Sequence, residues 1–212
     1  MTKKRAPRTA HTTATGATDL THATAAPAPT GAPDPSGETH ALRDPVEAGL
    51  GVPARYARQT IFPGIGQEGQ ARLGAARVLI VGCGALGSVL ANNLARAGVG
   101  YLRIVDRDYV EGNNLQRQVL YDEQDVLRGL PKAIAAAERL RQMNSTITVD
   151  ARATDVTAEN VEALLDGMQL VLDGTDNFET RYLLNDACLK AGVPWIYSGV
   201  IAAHGVTLTV QP

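Results

Sequence analysis

Cysteine is nearly missing from this 212-residue chain: Cys83 and Cys188 are the only two. Lying 105 positions apart, they supply neither a disulfide framework nor a CxxC zinc clip, and a reducing cytoplasm is the expected compartment. Long apolar runs are missing too; none approaches the ~18–20 residues that a membrane-spanning helix needs. Charge of one sign is not in excess, the formal net being −2, so no strongly basic face is implied and nucleic acid is not an expected partner. The basic start, Met1 to Arg5, is followed by no apolar segment and does not read as a secretory signal. Its Thr-rich continuation, without an acid before Asp19, leaves a transit-like segment open. What is present, 44% hydrophobic residues over this length, suffices for one sizeable core and a tail.

Residues 1–53 carry seven of the eleven prolines and three of the four histidines among Thr, Ala and Gly. Such a stretch has too few large apolar groups to offset its ordering entropy, so a disordered tail is expected. His11, His22 and His40 are scattered there and read as solvated side chains rather than metal ligands. From residue 54 onward the pattern changes. Helices are expected over Gln67–Leu73, Ala85–Ala97, Pro131–Met143, Ala158–Leu165 (capped by Thr157) and Glu179–Lys190, the last ending at Gly192. Strands are expected over Arg77–Val81, Leu102–Val105, Thr146–Asp150, Leu170–Leu172 and Pro194–Tyr197, with a half-exposed strand over Val206–Val210. The alternation gives an α/β fold, a Rossmann-like, doubly wound and mainly parallel sheet.

Gly82-Cys83-Gly84-Ala85-Leu86-Gly87 joins the first strand to its helix and fits G-x-G-x-x-G in the context that motif requires. Gly82 permits the tight turn, Gly84 admits a phosphate to the backbone, and Gly87 allows close helix–strand packing. The helix N-terminus adds free N–H groups and partial positive charge. Asp106 ends the second strand 24 residues after Gly82, where a carboxylate accepts from ribose hydroxyls. Asp108 reads as a turn or supporting residue. Up to here NAD binding is the natural default, and a purely structural glycine turn remains open.

Three further features turn the reading toward ATP. Asn113-Asn114-Leu115-Gln116-Arg117-Gln118 is a polar cluster at the carboxyl edge of the sheet, where Arg117 can fork onto phosphate oxygens; a solvated loop is the bland alternative. Lys132 follows Pro131 at a helix start, a position where the helix dipole disfavours a cation unless a phosphate lies near. It is one of only two lysines, against thirteen arginines, between residues 54 and 212. Asp173-Gly174-Thr175-Asp176-Asn177, after the fourth strand, offers a carboxylate for Mg²⁺ beside phosphate oxygens, or merely a helix cap.

Residues 55–212 resemble the ThiF/MoeB (HesA-like) adenylyltransferases, relatives of ubiquitin-activating enzymes. The likeness is carried by Arg55-Tyr56-Ala57-Arg58-Gln59, the Gly82–Gly87 turn, Val105-Asp106-Arg107-Asp108, the Asn113–Gln118 cluster, Pro131-Lys132 and Leu172–Asn177, in the family's order and at similar spacing. The resemblance implies that Asp106 binds ribose, that Asn114, Arg117 and Lys132 contact the phosphates, that Asp176 holds Mg²⁺ and that Asn177 lies beside the nucleotide. Asn113 and Gln118 belong to the same nucleotide-binding cluster. Arg58 would reach into the neighbouring site of a homodimer.

The implied reaction is ATP-dependent adenylation of the C-terminal glycine of a ubiquitin-like sulfur carrier, ThiS- or MoaD-like, in thiamine or molybdopterin synthesis. Arg58 acting in trans would be worth roughly 10³–10⁵ in rate. The family continues beyond a position equivalent to Pro212 with further strands, a crossover segment, CxxC zinc pairs and a sulfur-transfer cysteine, so a truncated chain is expected and structural zinc has no ligands here. Two rivals stand: an NAD-dependent oxidoreductase on the same glycine turn, and a fragment that binds nucleotide or partner without turnover.

Overall fold

The structure is a computed structural model, and it describes Val52–Pro212. The expected tail over residues 1–53, with its three histidines, therefore lies outside the described residues except for Val52 and Pro53, which open the first helix. Three helices come first: α1 (Val52–Arg55), α2 (Ala57–Thr60) and α3 (Gly66–Ala75). Then follow β1 (Arg77–Val81), α4 (Ala85–Ala97), β2 (Tyr101–Val105), α5 (Glu123–Leu127), α6 (Lys132–Met143), β3 (Thr148–Arg152), α7 (Val161–Leu165), β4 (Leu170–Asp173), α8 (Phe178–Ala191), β5 (Trp195–Ile201) and β6 (His204–Val210).

The six strands lie in the order β3-β2-β1-β4-β5-β6, parallel from β3 through β5, with β6 antiparallel at the edge. Period-two alternation divides the strand side chains between two cores. Val78, Ile80, Leu102, Ile104 and Val149 meet Ala91 and Ala95 of α4 and the alanine run of α6 on one face. Leu79, Val81, Val105, Val171 and Trp195 meet Val161 and Leu164 of α7 and Leu184 and Cys188 of α8 on the other. Both faces are covered, which is why β1 reads as an unbroken apolar run. The chain moves outward from β1 to β3 and then returns to β4 on the opposite side of β1. The carboxyl ends of β1 and β4 therefore flank the point where the winding reverses, and a crevice opens there.

The expected elements form, with adjusted bounds. β3 begins at Thr148, not Thr146, because the Asn144 side chain accepts from both the backbone N–H and the hydroxyl of Thr146, at 3.1 and 2.8 Å, and holds a turn. α7 begins at Val161, and Thr157 is not its cap. Instead the Asn160 side chain accepts from the Thr157 N–H at 2.9 Å, closing a turn before the helix. β5 runs on to Ile201 because β6 pairs with its whole length, and β6 is exposed on both faces apart from Val210, more open than expected. α5 was not foreseen; Asp122 and Asp125 form a reciprocal capping box that nucleates it. α4 and α8 end on left-handed Gly98 and Gly192, and Asn177 caps α8 by accepting the Thr180 N–H. Among the described residues no helix is long and apolar enough to cross a membrane.

Candidate functional site

The glycine turn is built by close approach of backbones. Gly82 has φ +83°, and a Cβ there would lie 2.8 Å from the Gly174 carbonyl group. A Cβ on Gly87 would fall on the Gly82 carbonyl, so the first turn of α4 packs directly on the end of β1. Gly84 is different: its nearest neighbour would be the Gln118 amide at 3.8 Å, leaving room over the backbone. Gly174 completes the stack, 2.6 Å being all a Cβ would leave to the Gly82 oxygen. The buried Tyr121 hydroxyl donates to the Cys83 carbonyl at 2.7 Å and pins the turn from within. The turn is rigid on three sides and open on one.

Asp106 faces that turn from the end of β2. One carboxylate oxygen accepts the Cys83 N–H at 2.6 Å and the other the Asp108 N–H at 2.8 Å. Burial raises its pKa above the ordinary range, partly offset by those N–H groups and by Lys132. Lys132 opens α6 with its side chain only 9% exposed, and its ammonium donates to Asp108 Oδ2 at 2.9 Å. Its backbone N–H also donates to the Asp108 carbonyl. Asp108, read from sequence as a turn or supporting residue, thus supplies the counter-charge that the helix dipole withholds. An ammonium has three donors, and two remain for a ligand.

The Asn113–Gln118 cluster is only in part a solvated loop. Asn114 and Gln118 are buried. The Asn114 amide braces a short 3₁₀ turn over Gly112–Asn114, accepting from the Glu111 N–H at 3.1 Å and donating to Asn113 Oδ1 at 2.7 Å. Gln118 Oε1 is buried without a hydrogen-bond partner. Arg117 is exposed and tethered by one donor to the Asn113 carbonyl at 2.8 Å.

At the end of β4, Asp173 is fully buried and out of reach of a metal. Its Oδ1 accepts from the Thr175 N–H and hydroxyl at 2.8 and 2.7 Å, and burial raises its pKa. Its Oδ2 lies 3.3 Å from Arg181 Nε, charge-paired without the alignment of a hydrogen bond. Asn177 carries the helix cap, so capping explains neither Asp173 nor Asp176. Asp176 is exposed.

These loops enclose one cleft of about 1210 Å³, lined by Gly82, Gly84, Asp106, Asn113, Asn114, Arg117, Gln118, Lys132, Asp176 and Asn177 together. Gly87, expected among the nucleotide-binding glycines, is buried and does not line it. Arg58 is not among its lining residues: Arg55, Tyr56 and Gln59 bind the body of the domain through Met143, Asn144, Gln70 and Ala97, and Arg58 is left exposed on α2. Sequence reasoning missed Arg181, Arg107 and Asp155, which also line the cleft, Arg107 and Asp155 as an exposed ion pair at 2.7 Å. Arg181 had a usable signal, one turn into the helix that follows the Asp173–Asn177 segment. Cys83 and Cys188 are free and buried, burial pushing their thiols up to about 12 and about 11.

The donor set fits a metal-bound triphosphate. Among the described residues no three His, Cys, Asp or Glu side chains group to hold a metal alone. Mg²⁺ on a nucleotide asks for less, one or two carboxylates with phosphate oxygens and water, and Asp176 on the cleft wall meets that. The partnerless Gln118 oxygen and the spare donors of Lys132 are the buried polar groups a ligand would satisfy.

Comparison with known proteins gives a consistent picture. The profile described as the ThiF family matches residues 56–212. The sulfur carrier protein ThiS adenylyltransferase of Bacillus subtilis (strain 168) is 50% identical over 158 residues, covering 74% of this chain and 47% of that protein. A sulfur carrier protein adenylyltransferase of Thermus thermophilus is 44% identical over 151 residues, covering 71% and 55%. The crystal structure of E. coli MccB with ATP superposes with a TM-score of 0.68 at 29% identity, covering 74% of this chain and 48% of that one. The chain spans about half the length of the relatives it matches.

Proposed function

The chain belongs to the ThiF family, and from that premise we propose that it binds ATP with Mg²⁺ and adenylates the C-terminal glycine carboxylate of a small ubiquitin-like sulfur carrier. The observation that carries the reading is the single cleft in which Asp106, Arg117, Lys132 and Asp176 meet, brought there by the connection after β2, the start of α6 and the turn after β4. A dehydrogenase on the same glycine turn has no use for the last three. The name of the Bacillus subtilis relative makes a ThiS-type carrier the first to test, with a MoaD-type carrier second.

The geometry of the cleft supports the following roles. The Gly82–Gly87 turn and the N-terminus of α4 receive phosphate, and Asp106 accepts from the ribose hydroxyls with the lone pairs its two N–H partners leave. Gln118 satisfies its buried oxygen against the nucleotide, and Asn113 and Asn114 hold the turn that presents Arg117. Asn177 sets the position of the residue before it. Asp176 would hold Mg²⁺, which when bound neutralises phosphate charge and orients the leaving group.

The carboxylate attacks the α-phosphorus in line. One P–O bond forms to the acyl oxygen as the bond to the bridging oxygen breaks, and pyrophosphate carries away the electron pair. An anion is approaching a polyanion, so the barrier is largely electrostatic. Lys132 and Arg117 offset that repulsion from within the chain. Arg58, exposed and outside its own cleft, would act across a homodimer, as Arg58 of the partner subunit.

The test is ATP–pyrophosphate exchange with a ThiS- or MoaD-type carrier ending in Gly-Gly. Carrier-dependent exchange is expected from the wild type, and Arg58→Ala should abolish it with melting unchanged. Stabilisation by NAD but not by ATP·Mg²⁺ would replace the reading with the oxidoreductase. Stabilisation by ATP·Mg²⁺ without any exchange would reduce the chain to a nucleotide-binding fragment.

A further inference from the structure

Asp176 is an exposed residue on a loop, and an exposed loop carboxylate ordinarily samples many orientations. Here the chain on both sides of it is fixed. The Thr175 N–H and hydroxyl are held by Asp173, at 2.8 and 2.7 Å. The Thr175 carbonyl, which belongs to the peptide unit leading into Asp176, accepts from Arg181 Nη2 at 2.6 Å. On the far side Asn177 is locked by its cap on α8. Arg181 also donates to the Ser198 carbonyl of β5 at 3.2 Å, and its guanidinium lies 5.2 and 4.9 Å from the ring centroids of Phe178 and Tyr197. With 12% of its side chain exposed, it is a nearly dry cation whose shortest directed bond goes to the Thr175–Asp176 peptide.

We propose that Arg181 is the positioning residue for Asp176: it fixes the peptide plane from which the metal-binding carboxylate projects and so sets the affinity for Mg²⁺ on the nucleotide. The inference rests on the adenylyltransferase reading above. A lysine at this position keeps the charge opposite Asp173 but cannot span Thr175, Ser198 and Asp173 with one planar fork.

A role confined to tying α8 to β5 predicts a lower melting temperature and nothing more, so the readout is the Mg²⁺-dependent part of nucleotide binding. Melting of the full chain is followed with ATP plus a chelator and with ATP plus Mg²⁺, for wild type, Arg181→Lys, Asp176→Asn and the double variant. All four should gain stability from ATP alone. The further gain from Mg²⁺ should be present in wild type, absent in Asp176→Asn and mostly lost in Arg181→Lys, and the double variant should lose no more than Asp176→Asn. A full Mg²⁺ gain in Arg181→Lys, or losses that add in the double variant, overturns the proposal. Should Arg181→Lys fail to melt cooperatively, Arg181→Gln is scored by the same criterion. No Mg²⁺ gain in wild type would instead sink the adenylyltransferase reading itself.

Discussion

Lys132 and Asp108 form an unequal pair: their charged atoms are 2.9 Å apart, but the lysine side chain is 9% exposed and the aspartate 57%. The cation is committed to the cleft, whereas the anion can turn to water. Removing either partner should therefore have different consequences. Lys132→Met leaves an aspartate that water can solvate, so stability should change by less than about 1 kcal/mol. ATP affinity should fall roughly 10–100-fold through loss of a charge-assisted contact. Asp108→Asn leaves the buried ammonium only the more distant charge of Asp106 and should lower the stability of the nucleotide-free protein by about 1–3 kcal/mol. Bound phosphate then restores the missing charge, so this variant should show a larger ATP-induced rise in melting temperature than wild type. Equal rises in the two proteins would mean that Lys132 does not meet the phosphates.

The glycines give a second expectation. A Cβ at Gly87 would occupy the Gly82 carbonyl, and one at Gly84 would meet nothing nearer than 3.8 Å. Gly87→Ala forces backbone apart where α4 packs on β1 and should cost about 1–3 kcal/mol or more in denaturant melts. Gly84→Ala should leave stability within about 0.5 kcal/mol yet weaken ATP binding, because the methyl group occupies the space left for a phosphate. Comparable destabilisation by the two would mean that Gly84 serves the fold rather than the ligand.

Much of this site could be read in the sequence because it depends on local order. β1, the glycine turn and Asp106 are separated by short, strongly patterned segments, and the parallel sheet brings strand ends together at one edge whatever the details. What stayed hidden depends on pairings across the fold. The ion pair of Lys132 with Asp108 joins α6 to the loop after β2, 24 positions away. The bonds of Arg181 join α8 to the turn after β4 and to β5. An arginine on an amphipathic helix looks like surface until the strand packed beside it is known. Arg58 shows the reverse case. Tyr56 and Gln59 beside it are explained by contacts with Asn144, Gln70 and Ala97, and no contact inside the chain does the same for Arg58 among the described residues.

Asp106 sets the pH dependence of binding. Burial raises its pKa in the folded protein, so its contribution to apoprotein stability is present below the unfolded value of about 3.9 and lost as pH rises through the folded value. Nucleotide binding runs the other way, since the ionised carboxylate accepts from ribose. ATP affinity should thus decline as pH falls, with a midpoint above the usual aspartate range. Asp106→Asn should bind more weakly at neutral pH and lack this limb. Titration of the nucleotide's own phosphates is common to both proteins and cancels in the comparison. Parallel pH profiles for the two would remove Asp106 from the ribose contact.

The two thiols should be chemically silent. With Cys83 pushed up to about 12 and Cys188 to about 11, the thiolate fractions at pH 8 are about 10⁻⁴ and about 10⁻³. Both side chains are also fully buried. Iodoacetamide at pH 8 should leave the native protein unlabelled over hours and label both positions within minutes in denaturant, as mass spectrometry would show. Adenylation needs no thiol, so a Cys83→Ala, Cys188→Ala double variant should keep carrier-dependent pyrophosphate exchange within about threefold of wild type, a barrier change of under about 0.7 kcal/mol. Rapid native labelling of Cys83 that ATP suppresses would show instead that the glycine turn opens in solution, and the rigid cradle inferred from Gly82, Gly87 and Gly174 would have to be given up.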